Sequence, residues 1–501
     1  MLSTYSCLAK PLVSNPSISP SKSADKLEPT DQTVLSSLQS KFQTELDSSP
    51  LTRPMWMLWI LSAGLIALDG FDFFIIGVAM PFIEQDFSLG AGWVGAIATA
   101  ALVGALIGSL TLGPITDEVG RQRMLMIDIG VFIVASLGST LAWNAWSLLF
   151  FRFLVGVGIG ADYPISVSYI TENMPARLRG RMVIGAFSFQ SIGALLGALV
   201  GWLTIWLFQQ TMPELAIAYA WRWMLGVGVV LSVLVGGLRL LFLLESPSYY
   251  LAKGDYKAAS DAASELLNKS VLLEPNAPIQ TTNGGRKEKT LGYRALFSKT
   301  YIRQTALASI PWFLQDIATY GIGIFTPTII ATLAFSSANN LLTQEMASAK
   351  GAAVVNVFLV LGFVLAIFLI DRVGRIPLQI TGFIGMAAGL CLLSFSGSTT
   401  QVGLLFAGFV LFNLTMNLGP NSTTFLLSGE VFPSAIRASG AGLAGAIAKS
   451  GAVLGALSLP VLQEGIGISS LLRLLAVVCI LAALVTYGLR RAITSPATDV
   501  L

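Results

Sequence analysis

Within the stretch WFLQDIATY, Trp312, Asp316 and Tyr320 stand four residues apart inside a long apolar run. That spacing puts all three on one face of a helix. A carboxylate inside hydrocarbon costs at least about 2.5 kcal/mol, so its presence there is a functional signal. An indole N–H lies one turn to one side and a phenol O–H one turn to the other. Asp316 is the switchable member, because an ionised carboxylate only accepts hydrogen bonds whereas a protonated one donates. The stripe can therefore present three donors to a ligand made of acceptors.

Other polar residues interrupt apolar runs elsewhere. Asp69 and Asp72 lie three apart in LDGFDFF. Arg152 precedes Asp162 and Tyr163 in GIGADYPIS, where Gly156, Gly158 and Gly160 permit close helix contact. Gln190, Gln315, Asn417 and Asn421 (in NLGPNSTTF) and Lys449 (in GAIAKSGAVLGA) complete the set. Donors dominate: one Lys, amides, two Tyr hydroxyls and a Trp N–H face the charged acceptors Asp69, Asp162 and Asp316. Such a pocket suits a small oxyanion.

The same inventory excludes much. With His 0, and with three cysteines that form no CxxC, neither a metal site nor a disulfide framework is expected, and proton chemistry must use carboxylates. No cofactor motif is present, and GAIAKS lacks the Gly before Lys that a phosphate loop requires. With no evident nucleophile either, the chain is not expected to be an enzyme.

The elements that must position these residues are membrane spans. The 501 residues are 54% hydrophobic and 11% charged, with a mean hydropathy of +0.74, far from the roughly 25% charge of soluble domains. At about 20 apolar residues per crossing, spans are predicted near 55–81, 91–114, 122–142, 147–170, 182–207, 222–244, 302–331, 350–370, 376–396, 402–427, 437–462 and 469–490. The fold class is an all-α membrane protein with 12 transmembrane helices. Residues 1–54 read as a largely disordered tail with a helix from about 33 to 47. The spans then fall into a six-helix bundle over 55–244 and another over 302–491, with a linker containing short helices at 245–301 and a second tail at 492–501. KGDYKAASDAASELL is the clearest helix of that linker, starting at Gly254 and Asp255.

The net charge of +3 forms no basic patch for nucleic acid. Lys and Arg crowd alternate loops, including Arg121 and Arg123, Arg177 to Arg181, Lys253 to Arg303, and Arg372 and Arg375. The opposite loops carry mainly Glu84, Asp86, Glu214 and Glu464. By the positive-inside rule both termini are cytoplasmic, in a plasma membrane or bacterial inner membrane.

An internal repeat relates the halves. DEVGR at 117–121 recurs as DRVGR at 371–375 (371 − 117 = 254), and Glu172 in ENMPARLRG answers Glu430 in EVFPSAIRASG (430 − 172 = 258). Similar shifts map Tyr163 onto Asn421 (163 + 258) and Gln190 onto Lys449 (190 + 259). Polar side chains thus recur at equivalent depths, as in rocker-type transporters that bind cargo between two halves.

Asp117, Gly120 and Arg121, their echo Asp371, Gly374 and Arg375, the ESPSYYLAKG after the sixth span, and Glu430, Pro433 and Arg437 together resemble the major facilitator superfamily. Within it, the Asp69 and Asp72 pair, the DYP at 162–164, Gln190, the Trp312, Asp316 and Tyr320 stripe, GPNSTTF and Lys449 resemble the phosphate:proton symporters. Ala161 departs from that family's usual second Gly before DYP. The resemblance implies proton-coupled import of inorganic phosphate, or of a related small anion, by a monomer surrounded by lipid and needing no cofactor. It further implies that Tyr163, Gln190, Trp312, Asp316, Tyr320 and Asn421 contact phosphate, that Lys449 supplies positive charge, and that Asp69, Asp162 and Asp316 couple the proton. Asp72, Arg152, Asp117, Arg121, Glu172, Asp371, Arg375, Glu430 and Arg437 are expected to be structural or gating residues. Asp69 and Asp162 could instead form a structural ion pair with Arg152, and Asn417 is expected to cap the bend at Pro420. A symporter of aromatic or other organic acids, which DGFD also resembles, and a phosphate-sensing receptor built like a transporter are the alternatives.

Overall fold

The computed structural model describes residues 29–119, 121–242, 244–274, 293–334, 340–399, 402–432 and 436–492. Among these residues the chain is almost wholly helical and contains no strand. Helix α1 (Pro29–Ser48) precedes the first bundle, formed by α2 (Arg53–Asp86), α3 (Ala91–Val119), α4 (Arg121–Thr140), α5 (Ala145–Asn173), α6 (Ala176–Thr211) and α7 (Ala216–Leu241). Two short helices follow, α8 (Pro247–Ala252) and α9 (Tyr256–Leu267). The second bundle holds α10 (Ile302–Ile324) with α11 (Thr326–Ala334), α12 (Leu341–Val373), α13 (Arg375–Thr399), α14 (Val402–Leu418) with α15 (Pro420–Glu430), α16 (Arg437–Ile466) and α17 (Ile468–Leu489). With each broken pair taken as one crossing, this is the all-α membrane fold of twelve spans in two six-helix bundles.

Both breaks have local causes. α10 and α11 meet at 59° around Phe325, because Pro327 lacks the N–H needed to continue the first helix and disfavours helical geometry in the residue before it. Gly419 and Pro420 part α14 from α15, with Pro420 in the first turn of the new helix, where its missing N–H is not needed. The second break turns Asn417 and Asn421 toward the space between the bundles.

Glycines let the layer around that space close up. A Cβ on Gly70 of α2 would lie 2.0 Å from the Gln190 carbonyl oxygen of α6, so these backbones touch and the contact fixes where Gln190 sits. Gly77 does the same between bundles, where a Cβ would meet the Ile324 carbonyl oxygen at 1.7 Å. Gly156 and Gly160 press on the α3 backbone at Ala101 and Ala105, in keeping with the small-residue spacing in the sequence.

In residues 1–54, read as a largely disordered tail with a helix from about 33 to 47, the helix is α1 and it is a docked strap; residues 1–28 lie outside the described residues. Leu38, Phe42 and Leu46 recur every four positions and are buried in one apolar cluster with Ala259, Ala263 and Leu266 of α9 and with Met174. Three apolar side chains cannot make a core alone, but they can complete one that α9 and the ends of α5 and α6 begin. Polar pins hold the strap. The Lys41 ammonium donates to the Leu272 carbonyl at 2.8 Å, and the Asp47 carboxylate accepts the backbone N–H of Ala176, at the start of α6, at 2.7 Å. Thr52 caps α2 by accepting from the Met55 N–H and donates to the Leu266 carbonyl at 2.6 Å. Lys269 pairs with Glu45 at 2.5 Å and holds that carboxyl below its ordinary value of 4.5. A depressed carboxyl stabilises the fold above the unfolded value and loses that contribution as pH falls through the folded one. The Glu45 contact therefore strengthens docking at neutral pH and fades under acid.

Phe42→Ala should cost about 3 kcal/mol, as large-to-small core substitutions do, and lower the unfolding temperature of the detergent-solubilised protein. An unchanged transition would mean that the strap is not docked.

Candidate functional site

Between the bundles lies a small cavity. Its polar lining comes from Gln190 and Ser191 of α6, Thr319 and Tyr320 of α10, Asn417 of α14 and Asn421 of α15. Both bundles thus contribute to one site, as the repeat offsets imply.

The Tyr320 hydroxyl is its centre. It accepts a hydrogen bond from the Lys449 ammonium at 2.8 Å and another from the Gln190 amide at 3.5 Å. Gln190 and Lys449 are repeat-related positions, and here they converge on a single oxygen. Lys449 also lies 4.5 Å from the Tyr320 ring centre and 5.9 Å from that of Phe73, within cation–π range. Its nearest carboxylate is Asp316, at 3.9 Å, too far for a direct hydrogen bond. The Trp312 side chain also acts on Asp316, and the Asp69 charge acts on Lys449. The stripe on α10 therefore divides its labour. Tyr320 faces the cavity, Asp316 stands behind it beside Lys449, and Trp312 packs edge-on against Phe425.

A chain of amides lines the other wall. Thr424 donates to the Gln315 carbonyl oxygen at 2.9 Å, Gln315 donates to Asn421 at 3.0 Å, and Asn421 donates to Asn417 at 2.7 Å. Asn417 in turn donates to the Ser191 hydroxyl and to the Leu359 carbonyl, both at 2.9 Å. The expectation that Asn417 merely caps a bend is corrected: it joins α14 to α12 within its own bundle and to α6 of the other. The Gly419 break frees its side chain for those contacts. The sequence showed Gln315 and Asn417 as polar interruptions of apolar runs. Ser191 left no such signal, because serine is ordinary in membrane helices.

Arg152 is fully buried and its ion pair differs from the one considered from sequence. It bonds Asp72 at 2.6 Å, not Asp69. Asp69 and Asp72 are three positions apart, hence about 60° apart around the helix; Asp72 turns into its own bundle toward α5, while Asp69 acts on Lys449. The side chains of Asp117, Arg121, Asp162, Tyr163 and Arg437 lie outside the described residues. Of the other expected gating residues, Glu172 accepts from the Ser246 hydroxyl at 2.9 Å, and Arg375 pairs with Glu430 at 3.1 Å and Asp371 at 3.6 Å. Arg181, not among those expected, carries the contact between bundles, to Asp371 at 3.2 Å.

Contacts between the bundles flank the cavity on both approaches. On the side of α1 and α9, the Phe187 and Phe425 rings meet across the bundles with centroids 3.9 Å apart. On the opposite side the Gly77 contact with Ile324 and the Gln209 hydrogen bond to Thr343, at 3.3 Å, join the halves.

Comparison with known proteins follows the same lines. A family model described as sugar (and other) transporter matches residues 57–490. The chain is 30% identical over 418 residues to YaaU of Escherichia coli strain K12, a protein named for metabolite transport, covering 83% of this chain and 86% of that one. It is 30% identical over 476 residues to a protein of Oryza sativa subsp. japonica named "Probable inorganic phosphate transporter 1-10", covering 85% and 86%. It is 28% identical to the "Repressible high-affinity phosphate permease" of Neurospora crassa, over 77% of this chain and 74% of that one. Among solved structures, the proton:xylose symporter XylE superposes with a TM-score of 0.69 at 18% identity, covering 88% of this chain and 96% of that one, so the fold is the major facilitator fold.

The buried Arg152–Asp72 pair yields a stability prediction. Asp72→Asn or Arg152→Met should each destabilise the protein by about 3 to 5 kcal/mol, the cost of leaving one buried charge without its partner. Replacing both residues with apolar ones should recover much of that loss. Thermal unfolding in detergent reads the cycle, and additive losses in the double variant would refute the pairing.

Proposed function

Since the chain belongs to the sugar (and other) transporter family, we propose that it imports inorganic phosphate together with protons by alternating access. The observation that carries this reading is the Tyr320 hydroxyl. Its oxygen accepts from Lys449 and from Gln190, so what it presents to the cavity is a proton to donate. A buried ammonium, a loaded phenol and carboxamide N–H groups make a wall of donors, which fits an anion whose acceptors outnumber its donors. The relatives named for phosphate support that choice of anion.

Coupling follows from competition for Lys449. When Asp316 is ionised it neutralises Lys449 and repels an incoming anion. Protonation of Asp316 removes both effects, and the ammonium can then pair with phosphate while the acid donates to it. Proton and phosphate thus enter as a neutralising pair, with Asp69, whose charge also acts on Lys449, as a second carboxylate that can hold a proton. Release reverses the sequence on the other side of the membrane. The face that carries α1, α9 and the Arg181–Asp371 contact is the cytoplasmic one in this reading. Exposed pairs of that kind contribute only about 0–1 kcal/mol each, so the gate they form parts readily as the bundles rock.

The test is radiolabelled phosphate uptake into proteoliposomes under an inward proton gradient, with organic-acid and sugar competitors in parallel. Uptake should collapse with a protonophore and ignore the competitors. Asp316→Asn should nearly abolish gradient-driven accumulation, and uptake with unchanged pH dependence in that variant would remove Asp316 from coupling. Lys449→Ala should raise KM by roughly ten- to a hundred-fold, the loss of a charge-assisted contact. An unaltered KM would place the anion elsewhere.

A further inference from the structure

We infer that Ser191 is a further hydrogen-bond donor to the transported anion, aimed by Asn417 acting as a positioning residue. This rests on the reading of the site as one for phosphate. Asn417 has two N–H bonds. One goes to the Leu359 carbonyl, which can only accept, and this fixes which way the amide faces. Its other N–H is thereby committed to the Ser191 oxygen at 2.9 Å, and its own oxygen is left to accept from Asn421 at 2.7 Å. Every bond from Thr424 through Gln315, Asn421 and Asn417 then runs in one direction and ends at Ser191.

Ser191 is buried and lines the cavity, and its hydroxyl proton goes to no acceptor among the described residues. Ser188, one turn earlier on the same helix, is different: it spends its proton on the Gly185 carbonyl at 2.6 Å. A buried donor without an acceptor is costly, and a ligand oxygen in the cavity would satisfy it. Tyr320 is in the same condition, since its oxygen accepts twice and its proton likewise reaches no described acceptor. Ser191 stands on the first bundle and Tyr320 on the second. An anion accepting from both ties the bundles together at the moment of binding, and the amide chain carries that contact into α10, α14 and α15.

Phosphate uptake by reconstituted Ser191→Ala, Ser191→Thr, Asn417→Ala and the double variant tests this, with thermal unfolding of each as the folding control. Ser191→Ala should raise the phosphate KM about ten-fold, as loss of one hydrogen bond to a charged group does, with a smaller effect on maximal rate. Ser191→Thr, which keeps the hydroxyl, should recover most of the affinity. Asn417→Ala should also raise KM, and the double variant should be no worse than the poorer single one, because Asn417 acts through Ser191. A Ser191→Ala protein with wild-type KM, or a double variant in which the two KM effects multiply, would overturn the assignment. Wild-type protein without phosphate flux would overturn the phosphate reading and this inference together, whereas wild-type flux with an unmoved Ser191→Ala affinity would overturn the inference alone.

Discussion

An ammonium ion at Lys449 must be neutralised far from water, and the central layer is arranged around that requirement. Helix α16 begins at Arg437, 449 − 437 = 12 residues before it, which at 1.5 Å per residue is about 18 Å of helix. A lysine stem does not reach the membrane surface from there. The charge is met instead by the Tyr320 oxygen, two aromatic faces, and Asp316 held at 3.9 Å. That separation leaves the ion pair incomplete. A loosely held pair is what an anion site needs, because a tight one would leave Lys449 nothing to offer a ligand.

The rest of the molecule divides into parts that hold and parts that yield. Within the first bundle, Arg152 and Asp72 form a fully desolvated pair whose separation would strand a buried charge, so α2 and α5 move as one body. Between the bundles the joins are of another kind: the partly exposed Arg181–Asp371 pair, the stacked Phe187 and Phe425 rings, and the Gly77 contact. Buried hydrogen bonds also cross, from Asn356 to the Ala194 carbonyl at 3.2 Å, from Asn417 to Ser191 and from Gln190 to Tyr320, and α6 packs on α12 and α3 on α16. Each of these contacts can break without exposing an unpaired buried ion. Strong bonds inside bundles with weak ones between them are the conditions for rigid-body rocking around a fixed site.

Much of this was legible in the sequence, for reasons that can be stated residue by residue. Span positions follow from apolar run length, and α2 to α7 lie where those runs do, because hydrocarbon leaves the backbone no alternative to helix. The Gln190 and Lys449 pairing was legible as a repeat offset, since equivalent positions in two similar halves lie at similar depths. What escaped was contact geometry. Asp69 and Asp72 are chemically identical and three residues apart, and only the facing helices decide that the second meets Arg152. Ser191 looks like any tolerated serine until Asn417 is seen to donate to it. The helix of α1 was legible but its docking was not, for another reason: Leu38, Phe42 and Leu46 form half of an interface whose other half, on α9, lies more than two hundred positions away in the chain.

Given the proposed phosphate cargo, a family described by sugars and other cargo raises the question of what would turn such a pocket toward an anion. Each hydroxyl of a sugar both donates and accepts, so a sugar site must offer oxygens with free lone pairs as well as N–H groups. Here several of those lone pairs are engaged by the protein itself. Tyr320 accepts from Lys449 and Gln190, Asn417 from Asn421, Asn421 from Gln315, and Gln315 from Thr424. What the wall adds is the pair of hydroxyl protons on Ser191 and Tyr320, which reach no described acceptor. An oxyanion, with more acceptors than donors, is matched to that pair better than a sugar, whose hydroxyls each bring a donor of their own. On this view selectivity does not lie in any one residue but in the direction of the hydrogen bonds behind the wall, and the Leu359 carbonyl, which can point them only one way, sets that direction.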